Sequence, residues 1–108
     1  MLLDVRTYRV KPNTMKAHFD LYELYGKPAQ TRHLGQPLAY LRTETGDPNE
    51  YVHIWVYENA GDRETRRAAM QADPGWQDYL KRSAELGALI SQTNKLMMPV
   101  DFFDGPKR

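Results

Sequence analysis

The sequence predicts an α+β fold in which a four-stranded antiparallel sheet carries its helices on one face, in the order of the ferredoxin-like split βαβ pattern. Three observations predict it. Leu2 to Val10 alternates in the manner of a strand, Pro37 to Tyr57 reads as two alternating runs around a dense turn cluster, and Asn59 to Ile90 carries two helices with legible start signals.

In the first strand Leu3, Val5 and Thr7 share one face and Asp4, Arg6 and Tyr8 the other, because successive side chains point to opposite sides. Lys11-Pro12-Asn13 ends it, and Asn13 or Thr14 offers an N-cap for a helix spaced by Met15, Phe19, Tyr22 and Tyr25. Gly26-Lys27-Pro28 is expected to break or kink that helix, with further turns over Ala29 to Leu34 and a cap at Gly35. Pro37 to Glu44 and the strand from Tyr51 flank Thr45-Gly46-Asp47-Pro48-Asn49, which predicts an antiparallel hairpin. Asn59 with Asp62 three residues on reads as a capping box for a helix to about Ala72. Asp73-Pro74 restarts the helix with a favoured N-cap and a pre-organised first position, and Trp76, Tyr79, Leu80, Ser83, Leu86 and Ile90 trace one of its faces. Lys95 to Phe103 is read as a last, irregular strand, which Pro99 confines to an edge or a bulge.

Composition narrows the function classes. At 108 residues, one domain spanning 1–108 is expected. Fifteen basic against 14 acidic residues give no global attraction for nucleic acid or anionic membranes. Without cysteine there is no disulfide, thiolate nucleophile or thiolate-bound zinc. No apolar run approaches the roughly 18 residues of a spanning helix, and charge arrives too early at the N-terminus for a secretory signal, so a cytoplasmic protein is expected. Seven tyrosines among 12 aromatic residues favour surfaces shared with a partner, and hence an oligomer.

The strand Tyr51 to Tyr57 places Val52, Ile54 and Val56 on one face and Tyr51, His53, Trp55 and Tyr57 on the other. The aliphatic face suits packing against helices. The aromatic one, extended by Arg6, Tyr8 and Tyr40, suits an interface or cleft in which the polar tips stay wet. Two such faces packed together would bury it.

Taken together, VHIWVY, Asp62-Arg63 with Arg66 and Arg67, and Asp73-Pro74-Gly75-Trp76, with LDVRTYRVKPN before and NKLMMPVDFF after, resemble the NIPSNAP family across essentially the whole chain. The resemblance implies a dimeric α/β barrel in which two protomers join their sheets around an enclosed cavity. That superfamily includes cofactor-independent monooxygenases, isomerases and haem proteins, so the fold does not select a reaction.

Candidate site residues follow from the aromatic face. His53 can act as a general base or a ligand contact, or serve only as a hydrogen-bonded packing residue. Arg6 can clamp a carboxylate or enolate, or pair structurally with Asp4. Tyr8, Tyr40, Trp55 and Tyr57 can line a pocket for an aromatic compound or form interface core. Trp76 is read as core, and Arg63, Arg66 and Arg67 as a solvated, salt-bridged helix face. His18, His33 and His53 match no metal motif, and no glycine-rich phosphate loop, dinucleotide fingerprint or nucleophile elbow occurs, so neither metal nor cofactor is expected. Haem stands as a lesser reading from the resemblance, with His53 as axial ligand. The function expected is a homodimer whose cavity binds a small aromatic or acidic metabolite, with cofactor-free proton transfer or oxygenation as its chemistry; the competing reading is a non-catalytic binding, sensor or protein-interaction module.

Overall fold

The computed structural model describes residues 1–105. Its elements run β1 (Leu2–Val10), α1 (Met15–Leu21), a π-helical segment (Tyr22–Gly26), α2 (Lys27–Leu34), β2 (Ala39–Arg42), β3 (Glu50–Tyr57), α3 (Ala60–Gln71), α4 (Pro74–Leu86) and β4 (Leu89–Met97). The strands form one sheet in the order β2-β3-β1-β4, antiparallel throughout. This is the predicted α+β, ferredoxin-like arrangement.

Local chemistry accounts for the helix ends. The Asn59 side chain accepts the Asp62 N–H at 2.8 Å, and the Asp62 carboxylate reaches back to the Glu58 N–H at 3.0 Å, a capping box displaced by one residue. Asp73 accepts the Gly75 N–H at 2.7 Å, with Pro74 at the first helical position. Gly87, left-handed at φ 67°, terminates α4.

Two boundaries depart from the sequence reading. Gly26-Lys27-Pro28, expected to break or kink the helix, interrupts its α pattern without ending it: Gly26 stays right-handed, the Lys27 N–H bonds to the Tyr22 carbonyl in the i→i−5 pattern of a π turn, and α2 runs on to the expected cap at Gly35. The widened turn accommodates a proline that can neither donate a hydrogen bond nor sit close to the carbonyl of the preceding turn. The last strand begins at Leu89, six residues before the expected Lys95, and ends at Met97. Gly87 stops α4 early and Pro99 stops pairing, while the polar run Ser91 to Lys95 lies on an exposed edge strand with no apolar alternation to announce it.

The larger correction concerns which sheet face the helices cover. Tyr51, His53, Trp55 and Tyr57 are buried beneath the helices, whereas Val52, Ile54 and Val56 lie on the half-exposed outer face with Leu3, Val5 and Thr7. The rings fill the gap between layers. One cluster joins Tyr8, Val10, Tyr51 and Ala88 under Met15 and Phe19, and a second joins Leu34, Trp55, Tyr57 and Met70 beside Trp76. Burying rings that cover 150–250 Å2 each gains more than burying Val and Ile there, and does so although the indole N–H of Trp55 is buried without a hydrogen-bond partner.

Candidate functional site

β1 and β3 are neighbours, and their register sets Arg6 directly opposite His53 and Tyr8 opposite Tyr51, on the helix side of the sheet. Above them, α1 contributes His18, the π segment Tyr22, α3 Arg67 and Met70, and α4 Trp76 and Tyr79. Between the layers lies a cavity of about 310 Å3, at the lower end of the range for small-molecule sites. It sits within the chain, between sheet and helices, so Arg6, Tyr8 and His53 face this space and not the inter-sheet cavity that the resemblance implied for them; the inverted sheet faces are the reason.

Hydrogen-bonded and stacked pairs build much of the wall, although His18 Nδ1 and His53 Nδ1 are buried without a hydrogen-bond partner. His18 Nε2 and the Tyr51 hydroxyl lie 2.5 Å apart, and the Tyr51 ring stacks on Tyr8 with centroids 4.8 Å apart. The Tyr22 hydroxyl donates to Gln30 Oε1 at 2.5 Å, so the hydroxyl proton of Tyr40, 2.8 Å away, points to Tyr22. Arg6 Nε donates to the Tyr8 hydroxyl at 2.9 Å and Arg6 Nη1 to Asp4 Oδ2 at 3.3 Å. Asp4, with no exposed side-chain surface, also accepts from Arg63 Nε at 3.1 Å and Asn94 Nδ2 at 3.1 Å.

Electrostatics give the cavity a sign. Among the described residues, Arg6 and Arg67 line it and no Asp or Glu does. One carboxylate, Asp4, faces two guanidiniums, Arg6 and Arg63, which leaves positive charge over. Burial works to lower the Arg6 pKa, but Tyr8 and Asp4 outweigh it and the guanidinium stays charged. Burial, with His18 and Arg6 adding to it, pulls His53 down to about 4, and burial lowers His18 as well. Both imidazoles are therefore neutral at pH 7. Burial raises Tyr22 and Tyr51, and Tyr79 reaches about 12, so these three present protonated hydroxyls.

A second cavity, of about 330 Å3, lies between the π segment and β2; Phe19, Lys27, Tyr40 and Arg42 line it, and it shares Tyr22, Tyr51 and His53 with the first. Of the residues singled out in the sequence, His53, Arg6 and Tyr8 meet in the first cavity, while Tyr40 lines the second. Trp55 and Tyr57 lie in the core and line neither. The Arg6–Asp4 pair and a place on the cavity wall are both realised. Trp76 does line the cavity. The arginine cluster divides: Arg66 pairs with Asp62 at 2.8 Å on the surface, Arg63 with buried Asp4, and Arg67 turns to the cavity. His18, Tyr22 and Tyr79 were not singled out as site residues in the sequence; their only signal was helical spacing, with His18 between Met15 and Tyr22 on α1 and the π segment.

Haem does not fit. The His53 ring is packed among Tyr8, Tyr22, Tyr40, Tyr51 and Trp55, with ring centroids 4.6 Å to 6.3 Å away, which leaves no room for a macrocycle to approach its nitrogens. His33 is engaged elsewhere, 2.7 Å from Asp73, which His33 and Arg32 hold down at about 2. Among the described residues no group of three His, Asp or Glu is placed to hold a metal, and no helix is long and apolar enough to cross a membrane.

Comparison with solved structures recovers the same architecture. Protein Atu4242 from Agrobacterium tumefaciens superposes with a TM-score of 0.87 at 36% identity, covering 96% of this chain and 98% of that one. An uncharacterised NIPSNAP-like domain protein from Burkholderia xenovorans gives 0.86 at 32% identity, over 96% and 89%. A Nitrosomonas europaea protein described as a candidate antibiotic biosynthesis monooxygenase gives 0.65 at 14% identity, over 93% and 99%, and shares the fold alone. A comparison with curated proteins returned no match. The NIPSNAP family model matches residues 3–103, which takes in the entire cavity wall and, but for Leu2, the four strands, and the chain belongs to the NIPSNAP family.

Proposed function

We propose that this NIPSNAP protein is a homodimer whose sheet-to-helix cavity binds a small aromatic acid. One observation carries the reading: a cavity of about 310 Å3 lined by tyrosines, Trp76, Arg6 and Arg67, and by no carboxylate among the described residues. A ring finds aromatic walls there, and a carboxylate finds guanidinium donors in a low-dielectric setting. The second copy is inferred to cover the open sheet face of Leu3, Val5, Thr7, Val52, Ile54 and Val56, which the helices leave uncovered.

Proton transfer is the chemistry this set would support. Neutral His53 would take a proton from a carbon or hydroxyl acid of the ligand, and Arg6, on the neighbouring strand, would stabilise the enolate or phenolate left behind. Monooxygenase-type chemistry would further require dioxygen as co-reactant. A second reading, binding without catalysis, is favoured by His53 itself. Its Nδ1 is buried with no hydrogen-bond partner, so no carboxylate orients the ring, and a pKa near 4 makes it a weak base in the free protein.

Calorimetric titration with benzoate and its neutral isostere benzamide tests the binding reading. Benzoate is expected to bind about tenfold more tightly, the order of one charge-assisted hydrogen bond, and Arg67→Gln to narrow the difference. Equal affinities, or no binding of either, would contradict an acid-binding cavity.

A further inference from the structure

The two cavities lie over neighbouring parts of the sheet and share three wall residues. The first is walled by residues of β1, β3 and β4, including Leu89 and Gln92 of β4; the second by residues of β3 and β2, including Tyr40 and Arg42. Strand order puts β4 and β2 at opposite edges, three strand spacings or about 14 Å apart. His53, Tyr22 and Tyr51 belong to both walls. The partition is closed by the hydroxyl contact of Tyr22 with Tyr40, at 2.8 Å, and by the Tyr40 ring edge-on to His53 with centroids 4.6 Å apart.

Tyr40 is the side of that contact with room to move, whereas Tyr22 is held by Gln30 and by the rings of His53 and Tyr79. Tyr40 sits on a four-residue edge strand and is 38% exposed. Tyr22 opens the π segment, whose i→i+5 bonding displaces its side chain from the regular helical position. The outer space is furnished for a ring, with Phe19, Tyr22, Tyr40 and Tyr51 around it, and Lys27 and Arg42 beside Glu23 keep it on balance positive.

We propose that the outer cavity is a second subsite of the same binding site, and that the Tyr22–Tyr40 contact is the partition an elongated aromatic acid displaces to occupy both. The inference rests on the acid-binding reading above and extends it to ligand shape: a rod-like acid with its carboxylate toward Arg6 and Arg67 and its distal ring between Phe19 and Tyr40. Such a ligand runs across the strands, along the line that joins the cavities. A single-ring acid fills the inner space and leaves the partition closed.

Two probes and two variants separate this inference from its premise. Benzoate and biphenyl-4-carboxylate are titrated calorimetrically into wild type, Glu23→Trp, which places bulk in the outer cavity from an exposed position, and Tyr40→Phe, which removes the hydroxyl contact and keeps the ring. The longer acid is expected to bind wild type about tenfold more tightly than benzoate, the lower end of what one further buried ring supplies. The ratio of the two affinities falls toward one in Glu23→Trp and rises in Tyr40→Phe. If both acids bind with a ratio that neither variant changes, the outer subsite is wrong and the acid-binding cavity stands. If neither acid binds, both readings fall together.

Discussion

His53 shows how placement on the covered face decides a residue's chemistry. An imidazole on a solvated cleft would titrate near 6.5, whereas here burial, reinforced by His18 and Arg6, holds it to about 4. Its charged form is therefore disfavoured in the folded chain, and the unfolded chain binds the proton more readily. Between the two values the unfolded state carries more protons, so stability rises with pH; it is fully present above about 6.5 and is lost as pH falls toward 4. The loss across that window is of order 3 kcal/mol from the size of the shift, and His18, lowered by burial, adds in the same direction. Asp73 titrates lower, its pair-stabilised carboxylate contributing above the ordinary carboxyl value and losing that contribution as pH falls toward 2. Urea midpoints for wild type and His53→Gln between pH 7 and 4 are expected to show a slope that the variant flattens; parallel curves would place the proton sink elsewhere. The same property bears on function, since an anion bound beside His53 raises its pKa and a neutral ligand does not.

At the scale of elements, the π segment carries the most consequence for its length. It brings Tyr22 to the boundary of both cavities, and Gly26 at its end lets α4 approach. A Cβ at Gly26 would lie 2.8 Å from Tyr22 Cδ1 and 3.0 Å from two ring carbons of Tyr79. Alanine would gain about 1 kcal/mol of helix propensity, yet a ring that must move in a packed wall costs about 1–3 kcal/mol, so the steric effect wins. Gly26→Ala is expected to lower stability by about 1 kcal/mol and to alter tyrosine near-ultraviolet dichroism. A stabilised variant with an unchanged spectrum would show that the wall gives way freely. The turns to Leu34 and the Gly35 cap were legible, but the π turn was not, because Gly-Lys-Pro reads locally as a break or kink and only packing against Tyr79 reveals the continuous path. Asn59, Asp62, Asp73 and Pro74 were legible because caps are local chemistry. β4 was misplaced because an exposed edge strand needs no apolar period, and its first residues continue the periodicity of α4. Alternation showed that His53, Arg6 and Tyr8 share a face, and hence that they meet. It could not show which face the helices cover, because both offered apolar surface.

At the scale of the molecule, that choice of face has a direct consequence for assembly. Placing the rings inside sends Val5, Val52, Ile54 and Val56 outward, where half-exposed aliphatic side chains form a continuous patch on a twisted sheet. Monomeric proteins seldom leave such patches open, and a second sheet packed face to face, at about 10 Å, would close it. Ile54 is the informative position, because it pairs with Val5 on one side and Ala39 on the other and so lies well inside the patch. Its side chain points away from His53 and both cavities, which separates assembly from ligand binding. Ile54→Lys would set an unpaired ammonium against apolar surface in the dimer and leave it solvated in the monomer. Desolvating such a charge costs several kcal/mol, enough to weaken association by more than about a hundredfold. Sedimentation velocity is expected to show a dimer for wild type and a monomer for Ile54→Lys at the same micromolar loading, with benzoate affinity retained. A variant that stays dimeric would move the interface to the outer helices, whereas a monomer that no longer binds benzoate would show that the second copy holds the cavity in shape through the shared strands β1 and β3.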